Sequence, residues 1–351
     1  MNVLSRRSVL GAAGLPFILA ASPYPGQRIL VLGDSVTWGQ GLRDGQKMHS
    51  VLARMLFDKI GLEPTLLHYA CSGGIIGSPS LPPQVVPGWW PREIPRDDPT
   101  LYEQCSLVEA DHPDRRFDVI ILAGGINDVG VSTIFNPLTS VADIETRCQQ
   151  YCRTSMGQFL NRLNQQFVTA NPQVKICVLG YYSVFSDLSA IPKIGNLFKA
   201  LAIGAVRLPR PNPSQLFAVQ PLTLQDLLVR NSTAFRDASR SNLLAAVNDA
   251  NAQTATNNFA FIDPMITDEE AAFAPKALIW GLDNDEAPED PIADDREKYC
   301  DDLLDKHLVD QFQCERACVG HPNIDGAHRY AEKLFAALTN VPVPQPAPPT
   351  V

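Results

Sequence analysis

Residues 28–41 read RILVLGDSVTWGQG. An apolar run, Ile29 to Leu32, meets Gly33-Asp34-Ser35 and then a short polar turn. Apolar run, glycine, turn and helix-like segment describe a buried β-strand that delivers a serine to its C-terminal end. In open α/β sheets that edge is where ligands sit. The stretch therefore restricts the chain to a sheet-centred fold with a site at one end. A serine so held is either a nucleophile or a helix cap, and the stretch by itself leaves both readings open.

Five runs read as strands: residues 28–32, 65–69, 119–123, 175–179 and 259–262. Their apolar character is continuous, not alternating, which predicts a parallel sheet buried on both faces. Helix-like stretches lie between them. Residues 48–60 set Val51, Leu52, Met55, Leu56 and Ile60 on one face, and 143–170 and 232–251 are the other long candidates. Strands alternating with helices predict right-handed crossovers and a three-layer α/β/α fold.

Three further pieces answer the GDS turn: Cys71-Ser72-Gly73-Gly74, Gly125-Ile126-Asn127-Asp128 and His321-Pro322-Asn323. Taken in order, the four blocks resemble those of the GDSL-type esterases and lipases of the SGNH hydrolase superfamily. The resemblance assigns Ser35 as nucleophile and His321 as base. It assigns an oxyanion hole to the backbone N–H groups of Ser35 and Gly73 and the side-chain amide of Asn127. It implies a flavodoxin-like five-stranded sheet in the order 2-1-3-4-5. It is silent on the middle of the chain and on substrate.

The residues fit these assignments chemically. A serine hydroxyl is a poor nucleophile near neutral pH and needs a base within hydrogen-bond reach. Of six histidines, His49 and His68 belong to a helix and a strand, His112 and His307 to charged stretches, and His328 to the helix after Gly326. Only His321 sits in a loop directly before a helix start. A tetrahedral intermediate needs donors aimed at its oxygen, and a glycine leaves its own N–H unobstructed. Gly73 can equally be a plain turn, and Asn127 a turn residue bonding its own backbone. Asp34 and Asp128 read as braces for their loops. The sequence departs from its apparent relatives at one position. Many have an aspartate three residues before the histidine, where this chain has Cys318. The third member is thus open, and a backbone carbonyl is expected to take the imidazole's other N–H, held in place by Cys318 if that residue is bridged. Asp310 and Asp325 are the nearby acids. No G-x-S-x-G elbow, Walker A or G-x-G-x-x-G is present, which argues against an α/β-hydrolase elbow or a nucleotide site.

The expected protein is a serine esterase or lipase needing no metal or cofactor, acting on small-molecule or lipid esters. The alternatives are a carbohydrate O-acetylesterase and a catalytically inactive glycan- or lipid-binding domain on the same fold. Residues 1–22 are read as a twin-arginine-like export signal, with Arg6-Arg7 ahead of a short apolar stretch and Ala20-Ala21-Ser22 at its end. The hydrolase domain is expected over 23–340 and a Pro-rich disordered tail over 341–351. A monomer, periplasmic or extracellular and without a transmembrane segment once the signal is removed, is expected. The net charge is −9, which argues against nucleic acid as a partner.

Eight cysteines suit an exported chain. Cys177 reads as a buried free thiol and Cys71 is ambiguous. At least two bridges are expected among Cys105, Cys148, Cys152, Cys300, Cys314 and Cys318, whose pairing spacing cannot decide. Cys314-x3-Cys318-x2-His321 also has metal-site spacing, but export and the better role for His321 favour disulfides. Residues 79–99 hold seven prolines and Trp89-Trp90 and read as a stiff loop that walls the pocket or merely pins itself to the body. Within the insertion 185–230, the apolar stretch 191–206 reads as an added packed helix or a lid. Residues 283–302 contain ten acids and read as a solvated, loosely ordered loop.

Overall fold

A computed structural model describes residues 27–61, 63–79, 92–96, 99–190, 221–254, 257–281, 290–305, 314 and 316–339. The expected export signal (1–22), Trp89-Trp90, the apolar stretch 191–206, Asp310 and the expected tail (341–351) lie outside the described residues.

Five strands form one parallel sheet in the order β2-β1-β3-β4-β5. They are β1 (Arg28–Gly33), β2 (Thr65–His68), β3 (Val119–Ala123), β4 (Lys175–Leu179) and β5 (Phe259–Ile262). The expected strands, strand order and layering are all present. Ile29 to Leu32 and Ile120 to Ala123 have no exposed surface, because helices cover both faces and an uninterrupted apolar run is what such a strand requires. β1 is an interior strand, paired with β2 from Arg28↔Thr65 to Val31↔His68 and with β3 from Ile29↔Val119 to Gly33↔Ala123.

The helices are α1 (Ser35–Trp38), α2 (Met48–Ile60), α3 (Leu101–Asp111), α4 (Ile126–Val129), α5 (Val131–Ile134), α6 (Val141–Cys148), α7 (Met156–Leu163), α8 (Pro221–Thr254), α9 (Ala293–Asp305) and α10 (Ile324–Thr339). α2 packs against α10, while α6 and α7 pack against α8. Val51, Leu52 and Leu56 are buried as the periodicity of α2 predicts, but Ile60 is 37% exposed, since the helix ends there at left-handed Gly61. Each fully buried side chain of this kind contributes about 2 kcal/mol through apolar burial. The helix predicted over 143–170 is present as an unbroken helical run over 141–168, in which π-helical Gln149–Ser155 joins α6 to α7 and π-helical Asn164–Val168 follows α7. No helix among the described residues is long and apolar enough to cross a membrane.

The acidic stretch 283–302 departs from expectation. Its described part carries α9, and Arg296 within it is 1% exposed. Repelling acids do not hold this element open, because the buried guanidinium and the Cys300–Cys314 disulfide tie it to the body. That bridge is the one disulfide among the described residues. Cys71, Cys105, Cys148, Cys152, Cys177 and Cys318 are buried and outside any disulfide, so the expectation of two or more bridges is corrected. Cys105 and Cys177 act as small apolar core residues, their thiols pushed above the usual range by burial.

Candidate active site

Four loops meet at the C-terminal edge of the sheet. β1 ends at Gly33, with φ of +124°; a Cβ there would lie 2.2 Å from the Ala123 carbonyl oxygen on β3. Only glycine allows that turn at that distance. Beyond the end of the β2 ladder, the buried amide of Gln104 takes over. Gly33 N–H donates to Gln104 Oε1 at 2.7 Å, and Gln104 Nε2 donates back to Gly33 O at 3.0 Å. Gln104 is presented by α3, whose start is fixed by a capping box between Thr100 and Glu103.

Asp34 caps α1, accepting from Val36 N–H at 2.9 Å. Its other oxygen accepts the Tyr181 hydroxyl at 2.6 Å. Burial pushes the Asp34 carboxyl up to about 6, against the pull of these donors. The same Tyr181 oxygen accepts Ile126 N–H at 3.3 Å, so one phenol joins the turn after β1 to the turn after β3. Asp34 and Asp128 both brace loops, as the sequence suggests. Ile76 N–H lies 3.2 and 3.1 Å from the two Asp128 carboxylate oxygens.

Ser35 is the first residue of α1, and its Oγ lies 2.7 Å from His321 Nε2. His321 Nδ1 lies 3.2 Å from the Cys318 carbonyl oxygen. A carbonyl can only accept, so the proton of the neutral ring sits on Nδ1 and Nε2 is the acceptor. Ser35 Oγ–H therefore donates to His321. Burial pushes the imidazole down to about 4, although the Cys318 carbonyl favours its charged form. The ring is neutral at physiological pH.

The His321 loop is pinned from several sides. Trp280 N–H donates to His321 O at 2.8 Å, and Gly320 N–H to Trp280 O at 2.9 Å. The Tyr182 hydroxyl donates to Gly320 O at 2.9 Å. Asn323 caps α10 through Gly326 N–H at 2.9 Å and donates to Ala277 O at 2.8 Å.

Gly73 adopts φ of +82°, and a Cβ there would lie 2.3 Å from Arg96 N. Residues 92–96, the end of the Pro-rich insertion, run against it. Ser72 N–H donates to Arg92 O at 2.9 Å and Arg96 N–H to Ser72 O at 3.0 Å. Asn127, in α4, donates one amide hydrogen to Gly74 O at 3.0 Å and keeps a second. The structure thus brings Ser35 and His321 into direct contact and bonds Asn127 to the residue after Gly73. The loops after β2, β1 and β3, three neighbouring strands, supply Gly73, Ser35 and Asn127.

The metal reading of Cys314, Cys318 and His321 does not fit the geometry. Cys314 is bridged to Cys300, the Cys318 thiol donates to Asp290 Oδ2 at 3.1 Å, and His321 engages Ser35 and a carbonyl. The bridge imagined for Cys318 is corrected in the same way. Asp325 is exposed in the first turn of α10 and is not the acid beside His321. Sequence reading missed Gln104, Tyr181, Glu93, Asp290 and Arg296. The Thr100-x-x-Glu103 signature marks the helix that carries Gln104, but nothing local marks the others: Tyr181 and Glu93 meet partners far away in the chain, and the six-residue Asp290–Arg296 spacing is not a recognised motif.

The sequence model of the family described as GDSL-like Lipase/Acylhydrolase matches residues 29–334. Similar solved structures include an extracellular lipase from Streptomyces rimosus, 15% identical over 89% of this chain and 100% of that one, with a TM-score of 0.49. A phospholipase A1 from Streptomyces albidoflavus is 12% identical over 89% of this chain and 99% of that one, at a TM-score of 0.46. The acetyl xylan esterase AlAXEase is 15% identical over 89% and 99%, at 0.35. No curated protein matches the sequence.

Proposed function

This chain belongs to the GDSL-like lipase/acylhydrolase family, and on that premise we propose that it is an exported serine esterase or lipase that cleaves carboxylic esters through an acyl-enzyme on Ser35. The observation that carries the reading is the 2.7 Å contact between Ser35 Oγ and His321 Nε2, with the imidazole's other nitrogen on the Cys318 carbonyl. In the first step Ser35 Oγ attacks the ester carbonyl carbon while its proton passes to His321 Nε2. Collapse expels the alcohol, which takes that proton. Water then attacks the acyl-enzyme with His321 again as base, releasing the acid and restoring the serine. Ser35 N–H, Gly73 N–H and the second Asn127 amide hydrogen are the donors for the developing oxyanion. Export rests on Arg6-Arg7 and the short apolar stretch after them.

The test is covalent labelling. A fluorophosphonate should add one phosphonyl group to Ser35, found by peptide mass mapping, and Ser35→Ala should remove both the label and the hydrolysis of p-nitrophenyl acetate. Ester turnover that survives Ser35→Ala would overturn the reading. p-Nitrophenyl esters of increasing acyl length then separate a lipase from an acetylesterase.

A further inference from the structure

Cys318, three residues before His321, is touched by a buried carboxylate from elsewhere in the chain. Asp290 has no exposed side-chain surface, and its Oδ2 accepts the Cys318 thiol at 3.1 Å. Arg296 grips the same carboxylate with two nitrogens, Nη1 to Oδ1 at 3.2 Å and Nη2 to Oδ2. Arg296 Nη2 also points at Cys318 Sγ, 3.9 Å away.

The network continues to the nucleophile. Arg296 Nη1 donates to Glu93 Oε1 at 3.1 Å. Glu93 in turn receives Trp38 Nε1 on Oε2 at 2.7 Å, and Gln40 Nε2 and Gly41 N–H on Oε1 at 2.6 and 3.0 Å. Trp38 is the last residue of α1, which begins at Ser35. Gly41 packs so tightly on Cys318 that a Cβ there would lie 2.5 Å from Cys318 Cβ. The end of the serine helix and the residue that orients the histidine are therefore held by one buried, charged frame. Burying such ions is costly, and apolar side chains of similar volume often stabilise as well or better. What the ions supply here is direction: a bidentate guanidinium fixes its carboxylate in angle as well as distance.

We propose that Asp290 and Arg296 are positioning residues for His321: acting through the Cys318 thiol, they fix the Cys318 carbonyl that takes the imidazole Nδ1–H. Asp290 acts one residue removed from the ring. It holds the backbone that holds the ring, and does not touch the ring. The inference rests on the reading of His321 as the base.

The test is a double-mutant cycle in the full-length protein, with p-nitrophenyl acetate as substrate. Asp290→Asn and Cys318→Ala should each lower kcat about tenfold with KM unchanged, and the double variant should lose no more than the worse single, because both remove one link. Cys318→Ser keeps a donor for Asp290 and should stay within about threefold of wild type. A low-field proton resonance from His321 Nδ1–H, identified by its loss in His321→Ala, should exchange faster in Asp290→Asn. Losses that multiply to about a hundredfold in the double variant would overturn the proposal, as would an unchanged kcat in Cys318→Ala or an unaltered resonance in Asp290→Asn. If Asp290→Asn fails to fold, the Cys318→Ala and Cys318→Ser pair decides alone: equal activities would overturn it. A wild-type protein that neither turns over esters nor takes the phosphonate label would count against the functional reading, while the resonance still tests the positioning.

Discussion

The Tyr181 hydroxyl donates to Asp34 at 2.6 Å and accepts the N–H of Ile126. One residue after β4 thereby sets the spacing between the turn that carries Ser35 and the turn that carries Asn127. Tyr181→Phe should leave a buried carboxylate short of a donor and a backbone N–H without an acceptor. Loss of such buried partners costs about 1–3 kcal/mol. Thermal unfolding should fall accordingly, and kcat should drop more than KM rises. A variant with wild-type melting and kcat would show that the two turns are held independently.

Removing single catalytic groups should give unequal losses. Ser35→Ala and His321→Ala should each abolish nearly all turnover, and together no more than either alone, since the pair acts as a unit. Asn127→Ala should cost about 10²–10³ in kcat, the usual loss for one oxyanion donor. Steady-state kinetics on p-nitrophenyl acetate separate these cases. A loss for Asn127→Ala below about threefold would remove it from the oxyanion hole.

The pH profile follows from the burial of His321. A histidine base works only when neutral, and burial pushes His321 down to about 4. The acid limb of kcat/KM should therefore fall near pH 4 and not near 6.5, with activity retained as pH drops from 7 to 5. A limb at 6.5 in protein still folded by circular dichroism would mean a solvated imidazole.

Stability should decline across the window in which activity is retained. His49 is buried and pushed down to about 4 from 6.5, chiefly by burial and then by nearby Lys47. Between those values the unfolded chain binds a proton that the folded chain refuses, so stability is full above 6.5 and is lost as pH falls towards 4. The loss at this one site is on the order of 3 kcal/mol. Urea midpoints should decline from pH 7 to 4.5, and less steeply in His49→Gln. Equal slopes would assign the acid sensitivity to other groups.

Thiol counting tests the cysteine arrangement. Alkylation of denatured but unreduced protein should modify six cysteines, and prior reduction should add Cys300 and Cys314. Folded protein should react slowly, since all six thiols are buried. Fewer than six modified residues would mean a second bridge.

What the sequence makes legible is what is local. Ile29 to Leu32 read as a buried strand because both faces are covered and every residue is apolar. Ser35, Gly73, Asn127 and His321 were each marked by short blocks whose order matches the loops at one sheet edge. The disulfides were not legible, because cysteine spacing carries no information about which core surrounds Cys105 or Cys148. Nor was the acidic stretch 283–302. Its composition argues for solvation, and the decisive residue, Arg296, is one cation whose partners Glu93 and Asp290 lie 203 and 6 residues away. Charge counting sees repulsion where the fold makes a buried pair. The π-helical stretches between α6 and α7 and after α7 likewise leave no trace in an amphipathic pattern that looks continuous.

Ser35 and His321 are 286 residues apart, and the loop between Cys318 and Asn323 is fastened to residues 277–280 just before the final helix. A chain emerging from the ribosome thus holds Ser35 long before His321 exists. The sheet can assemble without any capacity for hydrolysis, and long-range closures of this kind form late because their loop entropy must be met first. Recovery of esterase activity on refolding should therefore lag behind recovery of the far-ultraviolet signal, which makes turnover a clock for the last step of folding.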